Sequence, residues 1–130
     1  MLVVELFVTR VSNIRMTPNQ QTVERYMEGF LRTDSAQVLS CVTDDVEWVL
    51  PGMFHARGRD EFQNHLIEGG FRPNPSIDVT RLIELADVVV AEGRVRTEKT
   101  DGTVVNIAFC DVFEMRNARI AKLTSYLAVS

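Results

Sequence analysis

Cysteine, histidine and like-charge runs are all scarce in this chain, and each scarcity excludes something. The two cysteines, Cys41 and Cys110, sit inside apolar patterns with no CxxC or Cys/His spacing. That argues against a disulfide framework or a zinc site, and for buried thiols in a reducing, cytoplasmic compartment. The two histidines, His55 and His65, have no adjacent carboxylate pair, so no metal and no cofactor is expected. A formal charge of -4 is spread without blocks, leaving no basic stripe for nucleic acid or anionic lipid. No apolar stretch is long and uncharged enough to span a membrane. The most apolar one, MLVVELFVTRVSNIR, is interrupted by Glu5 and Arg10 and lacks a basic leader or a small-residue cleavage site. Residues 1–15 therefore read as an accessory extension: an added strand, a disordered arm, or an upstream start before Met16.

What is present fits one globular domain over residues 16–130. The whole chain has 130 residues, 45% apolar and 25% charged, which suffices for one real core and not two. Thr17-Pro18 reads as an N-cap followed by proline at the first helical position, opening a helix that runs to about Arg32. Its apolar face, Val23, Tyr26, Met27, Phe30 and Leu31, carries one phenol. Asp34 or Ser35 caps a shorter helix that buries Val38, Leu39 and Val42, and Thr43-Asp44-Asp45 closes it as a polar turn. Val46–Leu50 reads as a short strand stopped by Pro51-Gly52. A loop, MFHARG, leads to a third helix from Asp60 to Glu68, with Phe62, His65 and Leu66 inward and Gly69-Gly70 as its stop.

From Ser76 onward, turn signals at Ala86-Asp87, Thr100-Asp101-Gly102 and Arg116-Asn117-Ala118 separate four extended runs. In the second, Val89, Ala91, Gly93, Val95 and Thr97 alternate with a largely charged set. The third is the most informative. Along VVNIAFCDVFEM, the face made by Val105, Ile107, Phe109, Phe113 and Met115 is apolar except for Asp111. A carboxylate facing a core must be paired, neutralised, or set in a cavity that tolerates it. Strands approaching about 40 Å are expected to curl strongly, enclosing a pocket beneath the helices.

The segments VERYMEGFLRTDSAQVLSCVTDDVEW and AFCDVFEMRNARIAKLTSY, in this order of elements, resemble the nuclear transport factor 2-like superfamily, within it the SnoaL-like and ketosteroid isomerase-like branch. The resemblance covers Thr17 to the end. It implies an α+β fold, a cone-shaped curved antiparallel sheet with three N-terminal helices packed over it, and a homodimer formed through the outer sheet face. It also implies a partner for Asp111. In the isomerase a helix tyrosine and a strand aspartic acid donate hydrogen bonds to a developing oxyanion, and those positions fall on Tyr26 and Asp111. The position of the isomerase base falls on Leu50, which cannot accept a proton. The limonene epoxide branch is no better matched, its final aspartate falling near Ser125.

His55, if a loop closes over the pocket, and His65, from the third helix, are the candidates for a replacement base. Each has the plain alternative of a rim or core histidine. Trp48, Leu50, Phe30, Phe62, Phe109, Phe113 and Leu123 are expected to line an apolar pocket, although core packing explains them equally well. The resulting expectation is a protein that binds a small hydrophobic molecule: an isomerase, cyclase or hydrolase acting on a carbonyl compound through Tyr26 and Asp111. The alternative is a non-catalytic ligand-binding or dimerisation module in which Asp111 is structural, satisfied by the Tyr26 hydroxyl or buried water.

Overall fold

The Thr17-Pro18 start behaves as the side-chain chemistry requires. The Thr17 hydroxyl accepts from the Gln20 amide at 3.1 Å, and the Gln20 side chain accepts from the Thr17 amide at 3.2 Å. This reciprocal box opens helix α1, Pro18–Leu31. The computed structural model describes residues 16–67 and 75–129. The extension over residues 1–15 and the Gly69-Gly70 stop lie outside them. Asp34 caps α2, Ser35–Ser40, by accepting from the Gln37 amide.

Strand β1 spans Val42–Leu50 and begins earlier than expected. The polar run Thr43-Asp44-Asp45 is part of the strand rather than a turn. Its ladder to the last strand shifts register between Val42 and Glu47, and the exposed Asp45 is held by Thr43 and Arg116. The bulge lets the segment stay extended with Asp44 and Asp45 exposed while Thr43 is buried.

The stretch read as a loop contains strand β2, Phe54–Arg57. Pro51-Gly52 turns the chain back as a type II turn: the Met53 amide donates to the Leu50 carbonyl at 2.8 Å, and Gly52 has φ 83°. Helix α3, Gly58–Ile67, follows at once. Asp60 and Glu61 lie in its first turn, where carboxylates suit the helix dipole. The Arg59 guanidinium donates to the carbonyls of Leu39 and Val42, fastening α3 to the end of α2.

Strands β3 (Ser76–Leu85), β4 (Val88–Glu98), β5 (Val104–Arg116) and β6 (Arg119–Val129) form the expected meander. The β4–β5 ladder is unbroken from Val88↔Glu114 to Glu98↔Val104. The β5–β6 connection is a two-residue turn with Asn117 at φ 52° and Ala118 at φ 59°, the type I′ geometry that matches strand twist. Asparagine tolerates this conformation; alanine pays about 1 kcal/mol for it. Ala118→Gly is therefore expected to raise stability by about 0.5 kcal/mol, the gain being partly offset by unfolded-chain entropy. Urea unfolding measures this, and a lower midpoint would show that the Ala118 methyl contributes packing.

The expected cone is corrected by the topology. Among the described residues, six strands form a single open sheet in the order β2-β1-β6-β5-β4-β3, with β2 and β3 at opposite edges. Nor is the sheet wholly antiparallel, because β1 pairs with β6 in parallel. Joining β6 puts β1 and its hairpin partner β2 at the far side of the sheet from β3, so the sheet widens instead of rolling closed. Register shifts at Val42/Glu47, Val79/Arg81 and Glu114/Met115 interrupt the long ladders. The three expected helices are present, though α3 enters between β2 and β3 in the chain. They cover one face. The core between them and the sheet is built on Val23, Met27, Val38, Val46, Phe62, Phe113, Ile120 and Leu123.

Candidate functional site

Strand parity decides which side chains reach the helix-covered face. Trp48 pairs with Ala56 and Leu50 with Phe54 on that face, while Val49 and His55 pair on the other. In β5 the same side receives Ile107, Phe109 and Asp111, and in β6 it receives Ser125 and Leu127. Val95 and Thr97 from β4, Tyr26 and Phe30 from α1, and His65 and Leu66 from α3 complete a largely apolar cavity of about 540 Å³.

Asp111 lies in its wall, buried, directly opposite Ser125 in the β5–β6 register. Burial pushes its pKa up to about 7, and the Ser125 hydroxyl against the carboxyl works the other way by favouring the ionised form. Ser125 is itself held: the Trp48 indole N–H donates to its Oγ at 3.1 Å in a buried contact. Tyr26 is also buried. Its pKa stands well above the ordinary phenol value, first through burial, then through the nearby Asp111 and Cys41 charges. The Tyr26 ring meets Phe113 edge-on at 5.5 Å and Phe30 at 6.2 Å. The cavity thus presents a phenol that burial keeps neutral and a carboxyl group whose pKa is raised to about 7.

The residues expected in the site are distributed as follows. Tyr26, Asp111, His65, Trp48, Leu50, Phe30 and Phe109 all line the cavity. Phe62, Phe113 and Leu123 are fully buried behind its wall, with Phe62 against Trp48 at a centroid distance of 4.8 Å. His65 stacks on Phe54 at 3.8 Å, and Phe54 meets Trp48 edge-on at 5.2 Å. His55 is elsewhere. As a strand residue it points to the face opposite α1–α3, where its Nε2 lies 2.6 Å from the Glu47 carboxylate and its Nδ1 accepts from Arg57 at 3.4 Å. That His55 contact holds the Glu47 carboxyl below its usual range.

The expected structural partner of Asp111 was the Tyr26 hydroxyl or buried water; the structure adds Ser125, which stands across the ladder from it. Ser125 and the Trp48 indole were legible as residues but not as a connected pair. Among the described residues, no three His, Cys, Asp or Glu side chains are placed to hold a metal ion, and no helix is long and apolar enough to cross a membrane.

Comparison with known proteins agrees with this architecture. No curated protein matches the chain in sequence. A nuclear transport factor 2-like protein from Burkholderia pseudomallei superposes with a TM-score of 0.77 at 24% identity, over 87% of this chain and 92% of the other. An epoxide hydrolase of M. tuberculosis described as limonene epoxide hydrolase-like gives 0.75 at 19% identity, over 85% and 83%. A protein from Catenulispora acidiphila with a ketosteroid isomerase-like fold, in complex with trimethylamine, gives 0.73 at 14%, over 81% and 83%. At these identities each likeness concerns the fold alone. The SnoaL-like domain model matches residues 23–123, a span that takes in most of α1, β1 to β5 and the start of β6, and all of the cavity lining except Ser125 and Leu127, and the chain therefore belongs to the SnoaL-like family.

Proposed function

We propose that this protein binds a small hydrophobic compound through a carbonyl oxygen, with Tyr26 and Asp111 as the hydrogen-bond donors. The observation that carries this reading is that Tyr26 and Asp111, two side chains whose pKa values are raised by burial, line the same largely apolar cavity. A neutral acid and a neutral phenol cost little to bury and can both donate to one acceptor. In a catalytic form they stabilise an enolate or alkoxide as charge develops on that oxygen. His65 is then the side chain in the cavity that can move the proton, since His55 is on the other face and Leu50 offers no base. The leucine equally favours the second reading, a binding module without turnover.

The chain's only tryptophan, Trp48, lines the cavity and reports on its contents. Ketones, enones and epoxides are the compounds to titrate, epoxides because the M. tuberculosis relative is an epoxide hydrolase. Quenching of Trp48 is expected for at least one ketone or enone. Tyr26→Phe and Asp111→Asn are each expected to weaken that binding roughly tenfold, the equivalent of one hydrogen bond. Unchanged affinity in both variants sinks the reading. Turnover that disappears in His65→Ala with binding intact selects the catalytic form; binding without turnover in the parent chain selects the module.

For assembly we propose a homodimer through the sheet face opposite α1–α3, where Val90, Cys110, Val112 and Tyr126 adjoin and Tyr126 is 53% exposed. The parent chain is expected to sediment as a dimer and Tyr126→Arg as a monomer. A parent chain that sediments as a monomer at micromolar concentration removes the proposal. The two free thiols, Cys41 and Cys110, support placing the protein in the cytoplasm.

A further inference from the structure

We propose that Ser125 is a positioning residue: its Oγ accepts from the Trp48 indole while its single hydrogen goes to Asp111 and fixes which carboxyl oxygen is left to meet a ligand. An indole N–H only donates, so Ser125 must accept from Trp48 at 3.1 Å. The contact is buried, and the register sets Ser125 directly across from Asp111. The indole bond leaves the Ser125 hydrogen free to turn toward the Asp111 carboxyl across the ladder, giving the chain Trp48→Ser125→Asp111. One Asp111 oxygen is taken as an acceptor inside the wall. The proton of the neutral acid then resides on the other oxygen, directed into the cavity, and the ligand atom it meets has to be an acceptor such as a ketone or enone oxygen.

The titratable groups facing this cavity are few. Tyr26 comes from α1, Asp34 from the start of α2 and His65 from α3. Among the described residues the sheet brings no further charge to it: β1 presents Trp48, β4 places Ala91 opposite Asp111, and β6 presents Ser125. Since the Ser125 bond favours the ionised carboxyl, its removal moves the Asp111 titration upward.

The part concerning the ligand rests on the function proposed above, so the test has an arm that needs no ligand. Carbon-13 labelled aspartate is followed by NMR from pH 4 to 9 in the ligand-free protein. Ser125→Ala is expected to raise the Asp111 midpoint by about one pH unit, the scale of one hydrogen bond to a charged group. Ser125→Thr, which keeps the hydroxyl, is expected to hold the parental midpoint, and Trp48→Phe to move it upward by less. An unchanged midpoint in Ser125→Ala overturns the proposal, and so does a Ser125→Thr midpoint displaced as far as that of Ser125→Ala. In the second arm, binding of a neutral ketone is expected to fall as Asp111 ionises, with the fall displaced upward in Ser125→Ala by the same interval. Binding that ignores the displaced midpoint overturns the ligand-directed role of Ser125. If the midpoint moves as expected but no ketone binds any variant, Ser125 positions Asp111 and the proposed function fails.

Discussion

Asp111→Asn is expected to be more stable than the parent chain at pH 8 and nearly equal to it at pH 4. The sign follows from proton linkage. The folded-state pKa of about 7 lies above the 3.8 of a free aspartate, so between these values the folded protein holds a proton that the unfolded chain has released. Stability falls as pH rises through this window, by on the order of 4 kcal/mol in total, and levels off above pH 8. Asparagine keeps the size of the side chain and never ionises, so it lacks this loss. The carboxylates held below their usual range, at Asp45, Glu47 and Asp101, are solvent-exposed and act below about pH 4, outside this window. Urea unfolding of both proteins at pH 4.5, 6 and 8 measures the difference. Two parallel stability curves would falsify a raised titration at Asp111. The same substitution is expected to weaken ketone binding, so stability and function move in opposite directions at one residue, as at sites where a buried polar group is kept for use.

Gly93→Ala is expected to destabilise the protein by about 3 kcal/mol, lowering the melting temperature by roughly 10 °C. A Cβ built at Gly93 would stand 2.1 Å from the Asp78 carbonyl oxygen and 2.8 Å from Phe109 Cζ. The aromatic ring could give way, but the carbonyl belongs to the backbone of β3, beside the register shift between Val79 and Arg81. The two strands would have to separate there. Phe109 lies across from Gly93 in the β4–β5 ladder and lines the cavity, so its displacement is expected to alter ligand affinity as well. A melting temperature within a degree or two of the parent would show that β3 is free to move at this edge of the sheet.

Both positions show how much can be read before a structure is known. The alternation of β4 places Gly93 on the small apolar face, and that of β5 isolates Asp111 on an apolar one; period-two patterning reports the face of each residue without knowledge of its neighbours. It does not report what stands opposite. Counting back from the Asn117-Ala118 turn puts Thr124 across from Asp111, yet the register shift between Glu114 and Met115 moves the pairing by one residue to Ser125. No composition rule announces that bulge. The helix caps at Thr17 and Asp34 were legible because they are local chemistry between residues three apart. Strand β2 was not, since Phe-His-Ala-Arg is too short to establish a period and gains its ladder from Val49 and Leu50 across a turn.

The two histidines divide along the same line. His65 was placed inward by helical spacing, and it lines the cavity against Phe54. His55 was read in a loop able to close over the pocket; once that loop is a strand, parity alone sends it to the opposite face with Glu47 and Arg57.

By itself the sequence determined the three helices, the four-stranded meander and the isolation of Asp111 and Tyr26 on apolar faces, because caps, turns and side-chain periods act over a few residues. Tertiary structure alone decided that the sheet is open and mixed, that Ser125 and Trp48 stand behind Asp111, and that His55 faces away from the cavity. Those outcomes depend on ladders between distant strands, where a single-residue shift changes every partner.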